Sequence, residues 1–229
     1  MKVGILVFPG TWSHQDFGRV LDGLQVPWEY LWHKDTSLGG CDCLILPGGF
    51  AHGDYLRCGA IARFSPIMAA VTRFAEAGGP VMGSCNGFQI LCEAGLLPGA
   101  LLRNVSLQYR CAWVHLRTEA PATPFAEALR PGQVLRIPVS HGEGRYVADP
   151  PVLDRLEANG QVVFRYCTAE GVVSDGANPN GALRNIAGIC NKGRNVLGLM
   201  PHPERAADPL LGSQDGLPFF RFLTARAAA

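Results

Sequence analysis

The sequence predicts an α/β protein: a doubly wound, mostly parallel sheet with helices on both faces and antiparallel hairpins in the C-terminal half. Three observations carry this. Through the first hundred residues, apolar runs of strand length alternate with amphipathic helical stretches, the rhythm of right-handed crossovers. The run at 3–8 is continuously apolar, as befits a strand covered on both faces, and it and the strand at 41–46 each end in proline and glycine. From about residue 101, strand patterns are instead separated by turn-rich segments, which predicts hairpins.

In chain order, residues 3–8 form the first strand. Residues 13–24 place Phe17, Val20, Leu21 and Leu24 on one helical stripe. Strands come next at 28–32 and 41–46. The spacing of Ile61, Phe64, Met68, Val71 and Phe74 predicts a helix over 61–77, stopped by Gly78-Gly79-Pro80. Pro80-Val81-Met82 is a short strand, and 88–94 is amphipathic again. Segments 109–117 and 134–139 read as strands, 177–183 and 188–193 as turn-rich parts of hairpins, and 217–227 as a closing helix. With no repeat, low-complexity tract or linker, the expected organisation is a single domain over 1–229.

Composition narrows the function. An apolar share of 48% against 17% charged residues supports a sizeable core. A net charge of +1 with scattered Lys and Arg gives no electrostatic reason to expect nucleic acid or a membrane surface as partner. The apolar stretch at the N-terminus is too short for a signal segment or a spanning helix, so a cytoplasmic location is expected. Without a targeting segment, the eight cysteines are expected as reduced thiols. None but Cys85 has a chemical setting, and the other seven are assigned to packing.

Cys85 sits in Gly83-Ser84-Cys85-Asn86-Gly87-Phe88-Gln89, between a strand and a helix. Flanking glycines permit a tight elbow. The start of the following helix directs its dipole and free N–H groups at the sulfur and favours thiolate. Alone, such a cysteine is as compatible with inert packing as with chemistry. The complement lies 117 residues later in Met200-Pro201-His202-Pro203-Glu204-Arg205. Prolines on both sides of His202 predict extended backbone over 201–204, in which His202 and Glu204 project together. An imidazole that takes a thiol proton, oriented by a carboxylate, is the base such a nucleophile needs. His141 and Glu143, in His141-Gly142-Glu143-Gly144-Arg145, form a rival pair. His202 and Glu204 are preferred because prolines fix their presentation, whereas glycines leave Glu143 mobile.

These residues resemble the class I (triad-type) glutamine amidotransferases and, more narrowly, the glutaminase subunits of phosphoribosylformylglycinamidine synthases. The elbow and the Pro-His-Pro-Glu segment carry the broad likeness. The narrower one rests on residues 46–57 (Leu-Pro-Gly-Gly-Phe-Ala-His-Gly-Asp-Tyr-Leu-Arg), 102–106 (Leu-Arg-Asn-Val-Ser), 141–146 (His-Gly-Glu-Gly-Arg-Tyr) and 207–212 (Ala-Asp-Pro-Leu-Leu-Gly). The resemblance implies that Cys85 attacks the side-chain amide of glutamine, releases ammonia and forms a thioester that water then cleaves. His202 and Glu204 complete the triad. Backbone N–H groups of Asn86 and of the Gly48-Gly49 turn stabilise the oxyanions, and Gln89 holds the amino-acid end of the substrate.

The resemblance further implies a synthetase subunit and a small bridging subunit as partners. The glycine turns lack the P-loop and dinucleotide-binding spacings, so no cofactor is expected in this chain, and ATP and Mg are expected on the partner synthetase. Asp54, Tyr55 and Arg57 have a composition suited to a partner contact. Two positions depart from the family pattern, Ser84 for a small apolar residue and His52 for an aromatic one. Neither is expected to touch the triad, and only His52 bears on a partner contact. The readings left open are a class I subunit serving another synthetase, a glutamine-sensing subunit without catalysis, and a cysteine hydrolase of similar design.

Overall fold

The computed structural model describes residues 1–120 and 123–225. The continuous apolar runs become the middle of a nine-stranded sheet. Strands β1 (Val3–Val7), β3 (Cys43–Leu46) and β4 (Val81–Ser84) are buried along nearly their whole length and pair in parallel. β2 (Trp28–Trp32) pairs with β1 at the edge, where Tyr30 and Trp32 are exposed. The intervening helices are α1 (His14–Gly23), α2 (Pro66–Glu76) and α3 (Asn86–Glu93). α1 buries Phe17 and Leu21, and α2 buries Ile67, Met68 and Val71, the stripes the spacing predicts. The helix expected over 61–77 is shorter. Ser65 is held extended by the proline after it, and Pro66 opens α2 at its first position, leaving 62–64 as a separate 3-10 turn.

The strands of the second half pair with one another antiparallel, as expected. β6 (Arg110–Thr118) pairs with β7 (Val134–His141) on one side and β9 (Val162–Cys167) on the other. β9 pairs with β10 (Ile186–Cys190), which turns back into β11 (Val196–Leu199). The sheet order is β2-β1-β3-β4-β11-β10-β9-β6-β7. β5 (Ala100–Leu102) and β8 (Arg145–Val147) form a small second sheet, and α4 (Pro150–Ala158) precedes β9. Segment 188–193, read as a turn, begins inside β10: a Cβ on Gly188 would lie 2.9 Å from Gly198 O, so glycine there serves strand contact. The closing segment is a 3-10 turn over Leu217–Phe220 followed by α5 (Arg221–Ala225), and positions 226–227 of the expected helix lie outside the described residues.

One hydrophobic cluster runs from Val3 to Leu223. No helix among the described residues is long and apolar enough to cross a membrane. The decisive feature for the site is that β11 is parallel to β4 and adjacent to it, with Ser84 opposite Leu199. A late strand thus enters the middle of the sheet, and the chain emerging from its end passes beside Cys85.

Candidate active site

Segments leaving β3, β4 and β11 carry Gly48-Gly49, Cys85 and His202 off the same edge of the sheet. Cys85 N–H donates to Leu199 O at 2.8 Å, which fastens the elbow to β11. The backbone strain of the elbow falls on the cysteine itself, with φ 52° and ψ −107°, and not on the glycines expected to absorb it. The glycines allow close approach. A Cβ on Gly87 would stand 1.9 Å from Leu46 O, and one on Gly83 would stand 2.6 Å from the Gly87 main chain. Only without those carbons does α3 seat against β3 and β4 with Cys85 at its tip.

His202 and Glu204 are 0% and 1% exposed, and His202 Nδ1 lies 2.6 Å from Glu204 Oε1. The backbone is not extended through 201–204. Pro203 opens a 3-10 turn over Pro203–Arg205, in which Arg205 N–H donates to His202 O at 3.1 Å. Proline's fixed φ suits the first position of a turn as well as a strand, and the turn brings the carboxylate under the ring. His202 N–H donates to Pro138 O at 2.9 Å, anchoring the segment to β7. Ser84 corrects a second expectation, because its buried hydroxyl lies 3.4 Å from Glu204 Oε2 and 3.2 Å from Pro201 O, in contact with the carboxylate that holds His202.

His202 Nε2 is buried with no hydrogen-bond partner among the described residues. A methyl on Gly48 would lie 2.6 Å from His202 Cε1 and 3.4 Å from Cys85 Cβ, so the ring edge and the cysteine both border the Gly48 backbone. Cys85 Sγ lies 3.6 Å from Ser140 O. Burial works to lower the basicity of the ring. The Glu204 carboxylate and then the Cys85 sulfur outweigh it, and the His202 pKa is pushed up to about 10. Such a ring can take and keep a thiol proton.

The predicted oxyanion donors divide unequally. Gly48 N–H donates to Ser13 Oγ at 2.8 Å and is occupied. Gly49 N–H has no acceptor among the described residues, and a Cβ there would meet Gly10 O at 2.6 Å. Asn86 N–H lies at the first position of α3, where no carbonyl one turn back accepts it. The Asn86 side chain ties the elements together: Oδ1 accepts from Ala51 N–H at 3.0 Å, and Nδ2 donates to Gln89 Oε1 at 2.8 Å. Gln89 Nε2 in turn donates to Glu143 O at 2.6 Å, so Gln89 braces α3 against the 141–145 loop at the mouth of the site.

The rival pair does not assemble. Glu143 Oε1 faces Arg103 Nε at 3.5 Å, while the His141 ring lies over Gly144 with Asn180 Nδ2 3.4 Å from Nε2. Burial, then the charge of His202, lowers the His141 pKa to about 4, which leaves a neutral ring and a poor base for a thiol. The expected partner contacts also divide. Arg57 pairs with Glu93 of α3, and burial raises the pKa of the Asp54 carboxyl, whereas Tyr55 is 88% exposed. His52 packs within the chain, 5.1 Å from the His33 ring. All eight cysteines are free thiols, but Cys111 is exposed on β6 and is not a packing residue. No group of three or more His, Cys, Asp or Glu among the described residues is arranged to hold a metal ion. Reading the sequence missed Ser13, Trp12 and the Asn86 amide, whose roles arise from contacts across 35 or more positions and leave no local pattern.

An elbow cysteine, a buried His–Glu pair and two free backbone donors at the end of a mixed sheet define a glutamine amidotransferase of the cysteine type. Residues 1–214 match the family described as CobB/CobQ-like glutamine amidotransferase domain. The chain is 60% identical to the phosphoribosylformylglycinamidine synthase subunit PurQ of Moorella thermoacetica, over 94% of this chain and 92% of that protein. It is 54% identical to the Gloeobacter violaceus subunit of the same name, over 100% and 99%. A chain in the solved structure of PurLQS from Thermotoga maritima superposes with a TM-score of 0.87 at 40% identity, covering 99% of this chain and 98% of that one. The chain belongs to the PurQ family of phosphoribosylformylglycinamidine synthase subunits.

Proposed function

We propose that this chain hydrolyses glutamine to glutamate and ammonia through a thioester on Cys85 and delivers the ammonia to a separate synthetase subunit. That subunit converts formylglycinamide ribonucleotide to formylglycinamidine ribonucleotide in purine biosynthesis. The carrying observation is the orphaned, fully buried His202 Nε2 beside Cys85, with Glu204 holding Nδ1. In the first half-reaction, Sγ, having already given its proton to Nε2, bonds to the glutamine side-chain carbonyl carbon. The oxyanion is received by the N–H groups of Gly49 and Asn86. Collapse breaks the C–N bond, His202 returns the proton to nitrogen, and ammonia leaves. Water then enters, His202 takes its proton, and a second oxyanion collapses to glutamate and free Cys85. Each backbone donor is worth about 3 kcal/mol of barrier. Gln89 and the 141–145 loop bound the place for the amino-acid end of the substrate.

ATP and Mg act on the synthetase partner, and a small bridging subunit completes the assembly. The likeness to a chain of PurLQS supports this, as do Tyr55, Leu56, Leu107 and Tyr109, exposed on loops near the site. Cys85→Ala in the complex is expected to abolish glutamine-dependent amination while amination with added ammonium persists. Glutamine use by that variant would overturn the reading.

A further inference from the structure

The imidazole of His202 is fixed at Nδ1 by Glu204 and flanked along its Cε1 edge by Gly48. Trp12 is its aromatic neighbour. The two rings lie 5.7 Å apart between centroids, tilted by 35°. Trp12 is half-buried and His202 fully buried.

The indole is not free to drift. Thr11 closes a tight turn after β1, its N–H donating to Phe8 O and its Oγ1 accepting from Phe8 N–H, each at 2.9 Å. The N–H groups of Trp12 and Ser13 both donate to Gly48 O at 3.2 Å, pinning Trp12 to the oxyanion turn. The Arg205 guanidinium lies 3.9 Å from the indole centroid, held in turn by Asp16 Oδ2 at 3.2 Å from Nε and 3.0 Å from Nη2. One residue therefore joins the oxyanion turn through its backbone to the base through its ring, and a salt bridge from α1 steadies that ring.

We infer that Trp12 is a positioning residue for His202: its indole face keeps the imidazole in the plane that serves both Cys85 and Glu204 and favours the protonated ring. The face of an aromatic ring attracts a nearby cation through its quadrupole. The charged and titratable groups around His202 are Glu204 on its own segment, Cys85 from the elbow, His141 from β7, and Arg205 across the indole. Arg205 is neutralised by Asp16, so its charge does not cancel the attraction.

This inference rests on the glutaminase reading, and the experiment separates the two. Trp12→Phe keeps an aromatic face, whereas Trp12→Leu keeps bulk without one. In the reconstituted complex, Trp12→Leu is expected to lower the glutamine-dependent kcat about tenfold with KM within about twofold, and Trp12→Phe to recover most of that loss. Ammonium-dependent activity monitors folding and assembly. In parallel, NMR titration of the His202 ring in the full chain is expected to show its pKa lower by about half a unit in the leucine variant and unmoved in the phenylalanine variant. Equal behaviour of the two variants in both measurements would overturn the assignment. If the wild-type complex failed to use glutamine, the glutaminase reading would fall, and the titration would still decide the role of Trp12.

Discussion

Cys85 holds a φ of 52° and a ψ of −107° with a Cβ attached, a conformation that costs on the order of 1–3 kcal/mol. Strain of that size persists only where the surroundings over-determine it. Here Leu199 O grips the amide, and α3 seats on Leu46 through Gly87. Glycine at this position would relieve the strain at an entropic cost below about 1 kcal/mol relative to alanine. Cys85→Gly is therefore expected to be about 1 kcal/mol more stable than Cys85→Ala in urea denaturation, although both are inactive with glutamine; equal or lower stability would show that the elbow is relaxed. The elbow cysteine and the His202–Glu204 pair were legible as neighbours-to-be, and the structure brings them to one place. Which residue carries the strain was not, because it depends on how two strands grip the turn. The same limit hid the Ser84 hydroxyl, whose contact with Glu204 spans 120 positions.

Among the elements, the runs of β1 and β3 and the helix α1 were read with boundaries close to those observed, and the α2 stripe was read correctly although its helix starts at Pro66. Their burial is set by local sequence. The misreadings of 61–77 and 201–204 share a cause. Pro66 opens α2 after an extended Ser65, and Pro203 opens a turn where it was expected to prolong an extended stretch. Proline fixes φ, and the neighbouring packing decides which element uses it. Glycines are ambiguous in the same way, since Gly87 looked like a flexible bend and is in fact a contact surface. Gly87→Ala would drive a methyl to within 1.9 Å of Leu46 O, backbone that cannot step aside. The expected loss is about 3 kcal/mol or more in urea unfolding, with glutamine turnover falling as the elbow shifts; a variant as stable as wild type would mean that α3 is free to lift from the sheet.

At the scale of the molecule, threading β11 between β4 and β10 makes the site, and it also sets how the fold responds to pH. The thread brings His202 and its carboxylate into the interior a short distance from His141, and the two buried imidazoles are pushed in opposite directions. His202, with its pKa raised to about 10, contributes stability that is complete below the ordinary histidine value of 6.5 and is lost as pH rises through 10. His141, with its pKa lowered to about 4, works the other way: the unfolded chain binds a proton there from pH 6.5 downward while the folded chain does not, so stability falls between pH 6.5 and 4 and levels off below. Two such rings cannot both be cations at close range, and the carboxylate on His202 decides which one is. A displacement of this size corresponds to about 3 kcal/mol for His141. His141→Gln, which keeps a polar side chain facing Asn180 but does not titrate, is expected to flatten the loss of stability between pH 6.5 and 4 by about that amount, read from urea midpoints across the range. An acid limb as steep as that of the wild type would place the sensitivity in the carboxylates and leave His141 as an ordinary packed ring.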